Sequence, residues 1–241
     1  MKEIRHSLLP KLDACPCFEP KLGEAGPAAQ RGTLIDSRLR TAIETGTINE
    51  SNLTKDDIKA LKWALKAIKK IAGDNPIVSD EKLLKVKTPR IDHIGTEDVR
   101  VPDIHSSCDL KTGIQRNYRP QMAAYALGNM EEHFCEEWTC YLVYCDQREV
   151  VEHHFTRDQA ESTVNGILDA YADPLKEPRQ CDYCSWCAKR DVCLQMVKPV
   201  QETHSLMESG ANLSVLRDEI ANDPARLSRF LQLQKVFESE L

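Results

Sequence analysis

The chain has 241 residues, 41% hydrophobic and 29% charged, with a formal net charge of −6. Such proportions describe an ordinary globular protein able to bury one sizeable core, and no apolar run approaches the roughly 20 residues of a membrane-spanning helix. The acidic balance gives no broad basic surface for nucleic acid, although a local basic groove would suffice, because global charge mainly sets solubility and steering.

Residues 1–20 read as a short helix running into a cysteine turn, "DACPCFEP". They show no apolar h-region, so no signal peptide is expected, and the expected location is cytoplasmic, in a cell or, for a phage-encoded protein, in its host. In a reducing compartment ten cysteines are expected to bind metal or do chemistry rather than form disulfides. "AAQRGTLIDSRLRTAIETG" reads as a helix ended by Gly46, with Leu34, Ile35, Leu39, Ala42 and Ile43 on its apolar side. "TKDDIKALKWALKAIKKIAG" reads as a second helix, N-capped by Thr54 and stopped by Gly73, with Ile58, Leu61, Leu65 and Ile68 as its buried stripe.

The middle changes to strands: "EKLLKVKTPRIDHIG", "DVRVPDIHSSCDLKTG", "EWTCYLVYCD" and "EVVEHHF", the last two joined by a tight turn at Asp146 and Gln147. A helix, "RPQMAAYALGNMEEHF", separates the second strand from the third, and another, N-capped by Thr156 with Gln159 three residues on, follows the hairpin. This order predicts an α/β architecture with a central mixed sheet flanked by helices. Residues 1–200 are expected to form one domain, with residues 201–241 as a helical appendage.

Three features carry chemistry. Asp92 follows one predicted strand, and Asp109 with Lys111 ends the next. Asp109 and Lys111 are two apart on a strand and share a face. Carboxylates beside a lysine suit a hard cation, Mg²⁺ or Mn²⁺, which takes oxygen ligands. Beyond them, Gln121 and Tyr125 share one helix face at i, i+4. Finally, "QCDYCSWCAKRDVC" places Cys181, Cys184, Cys187 and Cys193 in one short run. These four could hold a structural Zn²⁺, whereas C-x2-C-x2-C also opens a ferredoxin-type ligand run and leans towards iron. Cys17, Cys108, Cys135, Cys140 and Cys145 read as buried core thiols. Trp186 is expected to pack on the cysteine loop, and His93, His105, His153 and His154 are read as structural.

The series "RGTLID", "RIDHIG", "CDLKTG" and "QMAAY" resembles the RecB-like branch of the PD-(D/E)xK nuclease superfamily. That branch carries a Gly-x-x-x-His helix motif, an isolated aspartate, a D/E-x-K ending a strand, and Gln-x-x-x-Tyr. The cysteines extend the resemblance to an iron–sulfur subgroup that includes the AddB nuclease domain and the CRISPR-associated exonucleases. Its pattern is one N-terminal cysteine before a proline and a distal C-x2-C-x5-C, matched here by Cys15-Pro16 and by Cys184, Cys187 and Cys193.

The resemblance implies a restriction-endonuclease-like sheet whose N- and C-terminal segments are joined by a 4Fe-4S cluster on Cys15, Cys184, Cys187 and Cys193, with Cys181 spare. It implies Mg²⁺ or Mn²⁺ on Asp92, Asp109, the backbone carbonyl of Leu110, and Asp36, which stands where the family has histidine. Lys111 would be catalytic, and Gln121 and Tyr125 would organise the site or touch DNA. Asp103, in Pro102-Asp103, is a rival to Asp92. The expected activity is a metal-dependent DNA nuclease, an exonuclease acting on ends or single strands in recombination, repair or phage-type DNA processing, with a helicase or recombination protein as possible partner. Two other readings stand beside it: a catalytically weakened RecB-like module for DNA or protein docking, and a zinc-stabilised interaction protein.

Overall fold

A computed structural model describes residues 3–196 except 25, 81 and 90. The expected helical tail, 201–241, lies outside the described residues. The chain divides into two compact units. Of the described residues, those up to Asp13 and from Gly23 to Pro174 make the first; Ala14–Leu22 and residues 175–196 make the second.

The first unit carries both sheets. β1 (Ile4–Arg5), β3 (His93–Thr96) and β2 (Leu83–Val86) form one, in that order, with β1 parallel and β2 antiparallel to β3. β4 (Val99–Val101), β5 (Ser106–Lys111), β6 (Glu137–Tyr144) and β7 (Glu149–Thr156) form the other; β5 and β6 run parallel and the remaining pairs antiparallel. Among the described residues five α-helices accompany them: α1 (Leu9–Ala14), α2 (Pro27–Thr45), α3 (Lys55–Ala72), α4 (Arg119–His133) and α5 (Arg157–Ala172). The expected α/β arrangement of mixed sheet and flanking helices is therefore present, though split into two hydrogen-bonded sheets. Among the described residues no helix is long and apolar enough to cross a membrane.

Local chemistry sets the element ends. Thr54 and Thr156 each close a reciprocal capping box, with Asp57 and Gln159 as partners, satisfying backbone N–H groups that a helix start leaves unpaired. α2 stops at Gly46, whose φ of 73° is readily open only to glycine. Two strand readings needed division. Residues 81–95 contain β2 and the start of β3 rather than one strand, and the Pro102–Ile104 segment is a 3₁₀ turn that folds β4 back on β5.

Packing follows the period-two alternation of the strands. Val99, Cys108, Val143 and Cys145 face α2 and α3, where they meet Ile35, Leu39, Leu61 and Ile68. Each such fully buried aliphatic side chain contributes about 1.5–3 kcal/mol. The buried stripe of α3 also takes in Ala60 and Ala64, while Leu65 is only partly covered. α4 is buried from Pro120 to Met130. β5 is polar yet buried, and Ser107 is satisfied: its Oγ accepts from Trp138 Nε1 at 3.2 Å and donates to Cys140 Sγ. Buried His93 contacts buried His6, Nδ1 to Nε2 at 2.8 Å, and burial lowers its pKa to about 4.

Among the described residues the second unit has little regular structure. Segments 14–22 and 175–196 are paired by a bridge between Pro20 and Cys187, with Ala188 N–H donating to Glu19 C=O at 2.7 Å and Lys21 N–H to Trp186 C=O at 3.1 Å. Two 3₁₀ turns, Cys184–Trp186 and Arg190–Val192, shape the cysteine run.

Candidate active site and cysteine cavity

The β4–β5 register sets Val99 against Cys108, so one step further it brings Asp98 opposite Asp109. Asp98 Oδ2 accepts the N–H of Leu110 at 2.7 Å, which fixes the carboxylate against the edge of β5. On the next outward position of the same β5 face, Lys111 is ion-paired with Asp109. The lysine also donates to Gln121 Oε1 at 3.4 Å and lies 4.5 Å from the centre of the Tyr118 ring. Gln121 Nε2 donates to Tyr125 Oη at 2.9 Å, and Tyr125 in turn donates to the Thr96 carbonyl at 2.9 Å. The i, i+4 pair on α4 is thus a relay that ties Lys111 to the end of β3.

α2 supplies the remaining carboxylate. A Cβ on Gly32 would stand 3.2 Å from Thr112 Oγ1, so the absent side chain lets the helix approach the end of β5 closely. One turn on, Asp36 accepts from Arg40 Nε, 3.3 and 3.2 Å from its two oxygens, and Arg40 Nη2 donates to Asp98 Oδ1 at 3.1 Å. Arg40 therefore links the helix carboxylate to the sheet carboxylate.

The electrostatics are strained. Burial raises the Asp98 pKa well above the usual range, and repulsion from Asp109 and Asp36 adds to it. Asp109 is raised by burial too, against the opposing pull of Lys111. Lys111 is held protonated: the carboxylates of Asp109 and Asp98 outweigh its own burial. Behind the pair, buried Glu97 is pushed to about 8 by desolvation while Asn129 donates to its Oε2 at 2.7 Å.

The structure brings together Asp36, Asp109, Leu110, Lys111, Gln121 and Tyr125, and it does not bring in Asp92. That residue precedes β3 and acts on Lys85 and His93, whereas Thr96, at the other end of β3, is the residue Tyr125 reaches. Four strand residues, about 13 Å, separate the two ends. The aspartate at the site is Asp98. Asp103 also lies elsewhere, exposed in the turn beyond β4. The missed signal was Pro102: read as a turn, it makes residues 99–111 a hairpin and pairs 98 with 109. Arg40, Tyr118 and Glu97 carried no comparable sequence signal. Among the described residues no three His, Cys, Asp or Glu side chains converge closely enough to hold one metal ion. Arg40 and Lys111 stand among the carboxylates instead.

In the second unit a cavity of about 220 Å³ is walled by Cys15, Cys17, Cys184, Cys187 and Cys193, closed by apolar Phe18, Val192 and Met196. Cys181 is not on its wall; its thiol lies 4.0 Å from Cys184 Sγ, and its N–H donates to the same sulfur at 3.3 Å. These contacts pull the Cys184 thiol down to about 6, chiefly through the Cys181 thiol, which is raised as the donor. Arg179 N–H donates to Cys15 Sγ at 3.3 Å. Two thiols depart from the core reading: Cys17 lines the cavity and Cys135 is only half-buried, while Cys108, Cys140 and Cys145 are buried. None of the ten cysteines is in a disulfide.

No known family model matches the chain. No curated protein matches it either. Among solved structures it is similar to the SSO0001 protein, with 14% identity over 68% of this chain and 84% of that one, at a TM-score of 0.35. It is also similar to a phage-related exonuclease from Haemophilus somnus 129PT, with 13% identity over 70% of this chain and 93% of that one, at a TM-score of 0.32. A third likeness is to an alkaline exonuclease from Laribacter hongkongensis, with 12% identity over 70% of this chain and 87% of that one, again at 0.32. Scores this low leave the function to be argued from the chain's own side chains.

Proposed function

We propose that this chain is a divalent-metal-dependent deoxyribonuclease of the RecB-like PD-(D/E)xK type, hydrolysing phosphodiester bonds at DNA ends or in single strands. The observation that carries the reading is the meeting of Asp98, Asp109 and Lys111 at one end of β5, with Asp36 delivered by α2. The donor chemistry suits a hard cation: the three side-chain candidates are carboxylates, which supply oxygen ligands, although Arg40 and Lys111 hold them here. Asp98, Asp109 and the Leu110 carbonyl would hold Mg²⁺ or Mn²⁺, with Asp36 at the margin. Such an ion lowers the pKa of water and offsets charge on a phosphate.

The protein's own groups do the rest. Lys111, kept charged and held by Asp109, Gln121 and the Tyr118 ring, presents an ammonium to the negative charge that develops during hydrolysis. Gln121 and Tyr125 limit where that ammonium can sit. In the second unit, a cavity walled by Cys15, Cys184, Cys187 and Cys193 but not Cys181 supports a 4Fe-4S cluster rather than a local zinc site.

A catalytically weakened docking module has one observation in its favour: Arg40 and Lys111 already neutralise the carboxylates. Incubation of anaerobically prepared protein with end-labelled linear and single-stranded DNA, with Mg²⁺, Mn²⁺ or EDTA, separates the two. Cleavage that needs the metal and disappears in Asp109→Ala supports the nuclease. DNA binding without cleavage under every metal condition would favour the docking module.

A further inference from the structure

We propose that the exposed lysine row of α3 is a docking track for the phosphate backbone of duplex DNA, holding the uncut part of a substrate whose end reaches the carboxylate site. The inference rests on the nuclease reading and adds the form of the DNA and the surface that grips it.

Three observations carry it. First, Lys55, Lys59, Lys62, Lys66, Lys69 and Lys70 are all exposed on α3. Their spacing of three and four residues keeps them on one side of the helix, opposite the buried Leu61, Ala64 and Ile68. At about 1.5 Å per residue the row runs about 22 Å, the length of about six base-pair steps. Lys59 and Lys62 make exposed ion pairs with Asp56 and Glu50, whereas among the described residues Lys55, Lys66, Lys69 and Lys70 make none. Like charges three and four apart weaken a helix, so a face that only met solvent would gain from alternating signs. Here the lysines stand together in a chain whose net charge is −6.

Second, the row starts beside the site. Asp57, two residues after Lys55, accepts from Arg31 Nε at 2.7 Å, and the other two Arg31 nitrogens donate to Asp146 at 2.7 and 2.9 Å. Asp146 in turn accepts the N–H of Gly113, two residues beyond Lys111, at 2.8 Å. These hydrogen-bonded steps fix the N-terminal end of α3 against the end of β5, and the lysines lead away from there. Third, the row offers charge and little else. Leu61 and Ile68 are buried with Val99 and Val143, and Trp63, the one aromatic residue of α3, packs against the same core. Sites for single strands add rings on which bases stack, whereas contacts to a duplex backbone need only cations. With its apolar side in the core, α3 also has no face to lay into a membrane.

The test is fluorescence anisotropy of a labelled blunt duplex, and of one of its strands, with the full chain and no added metal, between about 50 and about 200 mM NaCl. Each lysine–phosphate contact on a duplex contributes about 0.9 to the slope of log affinity against log salt. Lys66→Gln, Lys69→Gln and Lys70→Gln combined should lower the duplex slope by about 2–3 and weaken duplex binding at least roughly tenfold at the low-salt end. The same change of net charge around β2, in Lys82→Gln, Lys85→Gln and Lys87→Gln combined, should leave both nearly unchanged. An equal loss in the two triple variants, or none in the α3 triple, would overturn the proposal. So would single-strand binding that weakens as much as duplex binding, or wild-type binding to phosphatidylserine vesicles that alone responds to the α3 triple. If that triple does not fold, Lys66→Gln by itself should lower the slope by about 1, and an unchanged slope decides against the track. A wild type that cuts linear DNA while the α3 triple binds and cuts equally well sinks the track alone. A wild type that neither binds nor cuts DNA sinks the nuclease reading with it.

Discussion

The carboxylate site and the cysteine cavity are built by opposite means. Asp98 and Asp109 are brought together by a backbone register, and Lys111 follows from the strand period, so the ladder of β4, β5 and β6 does the positioning. The cysteine cavity has two 3₁₀ turns and one isolated bridge between segments far apart in sequence. Short turns and single bridges supply few backbone hydrogen bonds and little apolar burial, so such a region depends on whatever joins its side chains. Damage to the first region should therefore remove function and spare the fold. Damage to the second should loosen the fold before it touches chemistry.

The sharpest form of this contrast lies in the first region. Asp109→Ala, Asp98→Ala and Lys111→Ala should each slow Mg²⁺-dependent cleavage of linear DNA by about 10²–10³-fold or more. Their thermal melts should stay close to wild type, since the strand ladder persists without these side chains. Asp92→Asn should cleave at nearly the wild-type rate, because Asp92 stands at the far end of β3. Melting curves that collapse together with activity would break the comparison, and an inactive Asp92→Asn would reinstate the aspartate that the sequence suggested.

In the second region Cys15→Ser or Cys184→Ser should lose bound iron and sulfide and become protease-sensitive within 14–22 and 175–196. A cluster with one ligand of four removed is loosened as a whole, and metal bound there would contribute folding free energy. Cys181→Ser should keep its iron, because Cys181 is off the cavity wall. A local zinc site gives the inverse pattern, metal lost with Cys181 and kept without Cys15. Iron, zinc and sulfide per chain, measured on protein purified without air, separate the two, and zinc without sulfide would end the iron–sulfur reading.

How much of this was legible in the sequence also differs between the regions. Helices with a cap and a stop, such as α2 and α3, are readable because Thr54, Asp57, Gly46 and Gly73 act locally. Lys111, Gln121 and Tyr125 are readable because strand and helix periods put them on one face. Asp98 was not, because its position depends on which residues pair across a turn, and a hairpin register is a non-local fact. Arg40 and Glu97 are invisible for the same reason: their meaning comes from neighbours on other elements. In the cysteine region the spacing picked out thiols that line one cavity, yet Cys17 looked like a core thiol because nothing in the sequence locates the cavity wall.

The strain of the ladder-built site should show in its pH dependence. Glu97 is held at about 8 by burial, against about 4.3 in an unfolded chain. Below pH 4 both states are protonated and Glu97 adds no pH dependence. Between about 4.3 and 8 the unfolded state releases the proton while the native state keeps it, so stability falls as pH rises, by up to about 1.4 kcal/mol per unit. Above about 8 both states are ionised and the loss is complete. Glu97→Gln cannot ionise and keeps an oxygen for Asn129, so its stability relative to wild type should grow from pH 5 to pH 8. Urea unfolding of both proteins at the two pH values checks this. Asp98 and Asp109, also raised, slope the same way in both proteins and cancel in the difference. A difference that stays constant with pH would mean that Glu97 ionises normally in the fold.

The smallest expected effect tests the one part of the carboxylate site that the ladder does not place. α2 carries Asp36 and Arg40, and its distance from β5 is set where Gly32 passes Thr112. Gly32→Ala adds a methyl group 3.2 Å from Thr112 Oγ1, so helix or threonine has to yield by a few tenths of an ångström. Alanine also favours the helix by about 1 kcal/mol over glycine, which offsets the crowding and should leave the melting temperature nearly unchanged. The displacement, however, falls on the residue next to Lys111 and on the helix that holds Asp36. Cleavage should therefore slow by roughly threefold to tenfold, since small misplacements of reacting groups cost rate steeply. Gly32→Val should slow it further and lower the melting temperature. An Ala variant with an unchanged rate would show that α2 is placed by its apolar contacts at Ile35 and Leu39 rather than by the close approach at Gly32, and the contrast between a backbone-positioned site and a side-chain-held one would then extend to the helix as well as the strands.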